Sequence, residues 1–157
     1  MVLIRRFSRL FLGVTLVAAG CLLTGCGTNE LESPTAMRLK ALATMYLDYA
    51  AAKGGGGPAS EEVLKQHIRR LPAIQLETAG LDPASVDATF VSLRDQQPFV
   101  VIYGIGLSRI SGTEAPVVAY EKEGQGGKRL LAYANTKLDY VDEARLKQLL
   151  ESNTAKP

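Results

Sequence analysis

The chain has 157 residues, with 18 Lys and Arg against 16 Asp and Glu, two Cys, one His and no Trp. Three of the basic residues, Arg5, Arg6 and Arg9, precede an apolar run over residues 10–23, and this pattern reads as an export signal over residues 1–25. Without it, 15 basic residues face 16 acidic ones, so the electrostatic case for a nucleic-acid partner fails. The run of about 14 apolar residues is also short of the roughly 20 that a membrane-crossing helix needs. Both cysteines, Cys21 and Cys26, lie at the end of that run. The rest of the chain therefore holds no thiol for a disulfide or a Cys-ligated metal. Taking 25 residues from 157 leaves 132, a length that makes one domain with one core.

Next in chain order, Leu23-Thr24-Gly25-Cys26 resembles the lipobox of bacterial lipoproteins. The resemblance implies that a diacylglyceryl group is attached to the Cys26 sulfur, that the signal is cleaved before it, and that the new amino group is acylated. Each buried CH₂ contributes about 0.8 kcal/mol, and two or more chains give stable anchoring where one does not. Ala18-Ala19-Gly20-Cys21 is a poorer second match, because Ala18 stands where Leu is preferred. A secretory signal with another cleavage site is the plain alternative. Arg5-Arg6 also admits a twin-arginine export route, although Ile4 and Phe7-Ser8-Arg9-Leu10 fit its pattern poorly. By the sorting pattern of the lipoproteins it resembles, Gly27 in place of an Asp that would mark inner-membrane retention implies the periplasmic face of the outer membrane.

Residues 26–33 read as the lipidated position and a polar tether, residues 34–152 as the domain, and residues 153–157 as a disordered tail. Ser33-Pro34 is an N-cap followed by proline at the first helical position, and a helix is predicted over residues 34–53. On it Leu39, Leu42, Ala43, Tyr46, Leu47, Tyr49 and Ala50 share one face, with Lys40, Thr44 and Asp48 opposite. Four glycines and Pro58 break it. Ser60 caps a second helix to about Leu71, with Val63, Leu64, His67, Ile68 and Leu71 on its inner side. Asp82-Pro83 starts a short helix to about Phe90.

After the turn-like Arg94-Asp95-Gln96-Gln97-Pro98, residues 99–103 form an apolar run typical of an inner strand. Strands follow over residues 115–120 and 129–133, joined by a glycine-rich hairpin, with a short fourth over residues 138–141. Asp142 caps a last helix, with Val141 and Leu146 placed for a hydrophobic staple. The expected fold class is α+β: N-terminal helices packed on a small antiparallel three- to four-stranded meander, then a C-terminal helix.

Motifs for chemistry are few. Gly104-Ile105-Gly106-Leu107-Ser108-Arg109 follows a strand, but Arg109 replaces the third glycine of a dinucleotide loop and no helix follows. Gly126-Gly127-Lys128-Arg129 fails as a phosphate loop, since Arg129 replaces Ser or Thr. His67, the one histidine, has no Gly-x-Ser-x-Gly nucleophile elbow to serve. Tyr46 and Tyr49 could stack on a sugar or base if exposed, but their spacing puts them on the core stripe. Glu61 with Glu62, Glu121 with Glu123, and Asp142 with Glu143 could form acid and base pairs, yet each suits a helix start or a hairpin rim. No cofactor is expected.

The long helix and later meander, with Phe90-Val91-Ser92-Leu93-Arg94-Asp95, Tyr120-Glu121-Lys122-Glu123-Gly124 and Gly127-Lys128-Arg129-Leu130-Leu131-Ala132-Tyr133, resemble the head domains of type II secretion pseudopilins. The resemblance implies a fold and a scaffold role, and no catalytic residue. Here a lipobox stands where a pseudopilin keeps its apolar helix, and Asn135-Thr136 replaces the usual Asp-Gly. The expected function is a membrane-anchored lipoprotein of the cell envelope, a non-catalytic interaction or scaffold module whose partner is an envelope or secretion-system protein. The alternative is an envelope-acting hydrolase working through carboxylates such as Glu121 and Asp139, which would need them about 5–9.5 Å apart in one pocket.

Overall fold

The computed structural model describes residues 29–106 and 115–154. The export signal, the lipobox with Cys21 and Cys26, and the Leu107, Ser108 and Arg109 part of the glycine loop lie outside the described residues. Asn29 caps a 3-10 helix, Glu30–Glu32, by accepting a hydrogen bond from Leu31 N at 3.3 Å. Ser33 Oγ then accepts from Ala36 N at 3.2 Å and caps helix α1, Pro34–Ala52. Pro34 opens that helix where its missing N–H has no partner to lose. Gly54 and Gly55 stop it with φ of 67° and 96°, and Gly55 N reaches back to Ala50 O at 2.7 Å. That return bond ends a helix through a left-handed residue, a conformation glycine adopts without a Cβ clash.

The burial of α1 is wider than one stripe. Leu39, Leu42, Ala43, Tyr46 and Ala50 are buried as the spacing requires, and so are Thr35, Ala36, Ala41 and Met45, whereas Leu47 and Tyr49 are half-buried. The cause is tertiary. One side of α1 meets the sheet, while another meets helix α2, Glu61–Ile68, and a 3-10 helix, Pro83–Phe90.

Helix α2 is capped by Ser60 as expected but ends three residues before Leu71. Arg70 and Leu71 donate to the carbonyls three residues back, His67 and Ile68, both at 3.0 Å. Pro72 disfavours helical geometry at the residue before it, and the chain tightens rather than continuing. A short helix α3, Ala73–Thr78, follows where no element was expected, anchored by buried Leu76. Asp82 caps the next segment through Ala84 N at 2.9 Å, which is 3-10 rather than α and kinks at Ser85.

The sheet is an antiparallel meander in the order β1-β2-β3-β4: Val100–Val101, Val117–Tyr120, Lys128–Tyr133 and Leu138–Asp142. The expected α+β arrangement is the observed one. The apolar run at residues 99–103 is a correction, because it supplies only a two-residue strand at the sheet's edge. Its apolar character has another source. Phe99 N donates to Phe90 O at 2.8 Å, Val91 bridges Pro98, and Phe90 and Phe99 both enter the core beneath α1. Between β2 and β3, Gly126 and Gly127 take φ of 61° and 74° in a two-residue turn closed by Gln125 and Lys128, the twist that favours glycine in a hairpin.

The two faces of the sheet have different cover. Val118, Leu130 and Ala132 join the core under α1, whereas Val117, Leu131 and Val141 pack against Leu146 of helix α4, Glu143–Thr154. Asp142 caps α4 through Arg145 N at 2.8 Å, and Val141 and Leu146 share a cluster as a staple requires. Two boundaries move. Glu30–Glu32 is folded rather than tether, and Asn153 is no tail residue, since its amide binds both Val117 O at 2.8 Å and Val117 N at 3.1 Å. Among the described residues no helix is long and apolar enough to cross a membrane.

Candidate functional site

The turn at residues 92–97, legible in the sequence only as punctuation, organises the polar centre of the molecule. Gln96 takes φ 56°, and Ser92 N donates to Gln97 O at 3.0 Å, folding Arg94 and Asp95 toward the β2–β3 hairpin. Asp95 accepts from Glu123 N at 3.0 Å and Gly124 N at 2.8 Å, and from Gln97 N at 3.0 Å. Burial alone would raise its carboxyl, but the hydrogen bonds from Gly124, Gln97 and Glu123 outweigh it and hold the group below the usual carboxylate value.

Beside it Glu121 is 0% exposed. Ser92 Oγ donates to one carboxylate oxygen and Leu130 N to the other, both at 2.9 Å, while Glu121 N donates to Leu130 O at 2.9 Å. The carboxylate thus takes the place of a backbone acceptor where the β2–β3 ladder runs out. Arg94 Nη1 lies 3.6 Å from Glu121 and 3.1 Å from Glu30, and Nη2 donates to Tyr140 Oη at 3.0 Å. The guanidinium also stands 4.9 Å over the Tyr140 ring. Nε and Nη1 make no aligned hydrogen bond, so the Arg94 contacts to both carboxylates are electrostatic rather than forked. Such a buried pair contributes little net stability over an apolar replacement, but losing one partner strands the other.

The carboxylate at the middle of this knot has no solvent-facing surface, and its contacts clamp the 92–97 turn to the β2–β3 ladder. The expected hydrolytic pair is not brought together. Tyr120, Leu131 and Asp139 are cross-strand partners on one face of the sheet. Glu121 alternates with Tyr120 and lies on the face of Leu130 and Tyr140. Asp139 accepts from Tyr133 Oη at 3.4 Å and Tyr140 N at 2.8 Å.

The other candidates have structural partners. Glu61 pairs with Lys65 at 2.6 Å and Glu62 accepts from Gln66 at 3.0 Å. Glu123 is exposed on the hairpin, Asp142 caps α4, and Glu143 pairs with Arg129. Lys65 also reaches Asp87 at 2.8 Å and lies 4.7 Å over the Phe90 ring. His67 Nε2 meets Asp48 Oδ2 at 2.7 Å, Gln75 donates to the other Asp48 oxygen at 3.1 Å, and Tyr49 meets the imidazole edge-on. Among the described residues no hydroxyl is hydrogen-bonded to His67, and the pair ties α1 to α2 and α3.

Tyr46 is unavailable for stacking at 1% exposed. It accepts from Ile105 N at 2.9 Å and donates to Ile105 O at 3.3 Å, and burial pushes its hydroxyl up to about 12 against the opposing backbone bond. Gly104 N donates to Pro58 O at 2.9 Å, so the start of the glycine loop packs onto the Gly57-Pro58 break instead of cradling a phosphate. No group of three or more metal-ligating side chains forms among the described residues. A shallow hollow of about 390 Å³ lies between α4 and the sheet, lined by Tyr120, Arg129, Glu143, Leu146, Lys147, Leu150 and Glu151. None of the residues singled out for chemistry, Glu143 excepted, borders it.

Sequence reasoning missed Ser92, Arg94 and Asp95 as a unit. The available signal was three hydrogen-bonding side chains within four positions beside a turn, which equally describes any loop. Comparison with known proteins found no matching family, no matching curated protein and no matching solved structure.

Proposed function

We propose that this protein is a lipid-anchored, non-catalytic interaction or scaffold module of the bacterial cell envelope, held through Cys26 at the periplasmic face of the outer membrane. The observation that carries the proposal is Leu23-Thr24-Gly25-Cys26 at the end of a charged and then apolar export segment. The domain lends support in two ways. Its 3-10 helix Glu30–Glu32 lies only a few positions after Cys26, too few to let the domain stray from the anchor, and the side chains best placed for chemistry are committed to caps, clamps and helix ties. The order of a long helix followed by a meander is in keeping with the pseudopilin-like resemblance and with a scaffold role, and the partner proposed is another envelope or secretion-system protein.

Labelled palmitate supplied to cells expressing the full chain tests this. Wild type and Cys21→Ser should carry label, and Cys26→Ser should carry none, because the acylglyceryl group is attached through sulfur. Label retained in Cys26→Ser and lost in Cys21→Ser moves the anchor, and an unlabelled wild type removes the lipoprotein assignment. In the same labelled cells, cross-linking that captures no envelope protein or polymer removes the scaffold assignment.

A further inference from the structure

We propose that the end of the domain where α1 begins is a lipid-contacting surface, with Leu31, Met37 and Leu93 seated in the headgroup layer of the membrane that Cys26 anchors. This inference rests on the lipid-anchor proposal and adds an orientation to it. Four large apolar side chains stand well exposed among the described residues: Leu31 at 40%, Met37 at 64%, Leu93 at 42% and Ile74 at 70%. Scattered apolar residues on a surface are ordinary, but three of these belong to the end of the domain where α1 begins. Leu31 lies in the 3-10 helix that leads into α1. Met37 is in the first turn of α1, and Leu93 N donates to Thr35 Oγ1 at 3.2 Å, again in that first turn.

The chain itself commits this end to lipid. Two residues, Gly27 and Thr28, separate Cys26 from Asn29, and these three chain steps reach about 10 Å when fully extended, so once Cys26 is acylated the start of α1 cannot leave the interface. Leu31 is also fixed relative to the domain, because neighbouring Glu30 is ion-paired with Arg94 of the buried knot. That pairing leaves exposed Glu32 as an acidic neighbour, which suits zwitterionic phosphatidylethanolamine better than an anionic lipid and makes the contact apolar rather than salt-dependent. Ile74 serves as the internal contrast. It is next to Gln75, which binds Asp48, and Asp48 is 14 residues along α1 from Pro34, roughly 20 Å at 1.5 Å per residue.

The absence of tryptophan makes one introduced indole the sole reporter of its kind. The full, processed chain carrying Leu31→Trp, Met37→Trp, Leu93→Trp or Ile74→Trp is reconstituted into phosphatidylethanolamine vesicles brominated near the headgroup end of the acyl chains. Flotation and lipid analysis establish whether it is anchored. Indoles at positions 31, 37 and 93 should emit further to the blue and be quenched several-fold more than the one at 74, with little change on adding salt. A protein that floats with the vesicles but shows equal quenching at all four positions overturns the docking surface and leaves the anchor standing. A protein that carries no lipid and does not float overturns the anchor, and the docking surface falls with it.

Discussion

The face of the sheet under α1 and the face under α4 are built to different depths. Among the described residues, twenty buried side chains gather on the α1 side and four on the α4 side, and the charges follow that difference. Glu121 can be fully enclosed on the deep face because Ser92, Leu130 and Arg94 surround it there. On the shallow face the ion pair of Arg129 with Glu143 stays at the rim, with Glu143 68% exposed. The difference teaches that a strand's alternation assigns side chains to faces, while the number of elements converging on each face sets how completely they are enclosed. On the deep side α1, α2, α3 and the 3-10 helix converge, whereas a single helix stands on the other.

The comparison breaks most directly at Leu42, 1% exposed on the deep face. Loss of the leucine alone costs about 2–5 kcal/mol, and a carboxylate left there without a partner adds to that cost. Leu42→Asp should therefore abolish the cooperative melt seen by circular dichroism. Leu146→Asp, facing the thinner layer near Lys147 and Arg129, should lower the melting temperature and still fold. Equal losses in the two variants would erase the distinction between the faces.

A smaller effect is expected at the buried carboxylate. Glu121→Gln keeps the shape but cannot accept from both Ser92 and Leu130 N as a charged group does, and it leaves Arg94 leaning on Glu30 alone. Removal of one partner from a buried pair costs roughly 3 kcal/mol, visible as a lower urea midpoint with an unchanged slope. A Glu121→Gln protein as stable as wild type would reduce the knot to an incidental contact.

The smallest effect concerns Asp95, which grips the hairpin from outside the core. Its folded carboxyl titrates below the ordinary 3.8, so its stabilisation is fully present above that value and is lost as the pH falls through the lower, folded value. Hydrogen exchange at the Glu123 and Gly124 amides should accelerate over that acid range beyond the intrinsic change, and Asp95→Asn should remove this extra acid sensitivity. Protection that stays flat through acidification would show that the hairpin holds without this clamp.

The candidate site was less legible than the fold. The caps at Ser33, Ser60, Asp82 and Asp142 were readable because capping is a local event, in which a side chain meets an amide two or three residues on. The order of helices, strands and final helix was readable for the same reason. Glu121 gave no sign of its burial, since a glutamate followed by Lys122 and Glu123 has the composition of a solvated rim. Its partner Arg94 is 27 positions away, and only the fold brings the two within 3.6 Å.

The amino-acid sequence by itself determined α1, α2, α4 and the last three strands, where most of them begin, and the lipobox-like pattern at Cys26, because each depends on neighbours within a few positions. Tertiary structure alone decided that the apolar run at residues 99–103 lies at the sheet's edge and that α1 is buried on several sides. It also decided that Glu121 and Asp139 stand on opposite faces and that Leu93, 58 positions along the chain from Thr35, is held beside the first turn of α1. These outcomes depend on which distant segments cover a residue once the chain has closed on itself, and spacing along the chain carries no record of that cover.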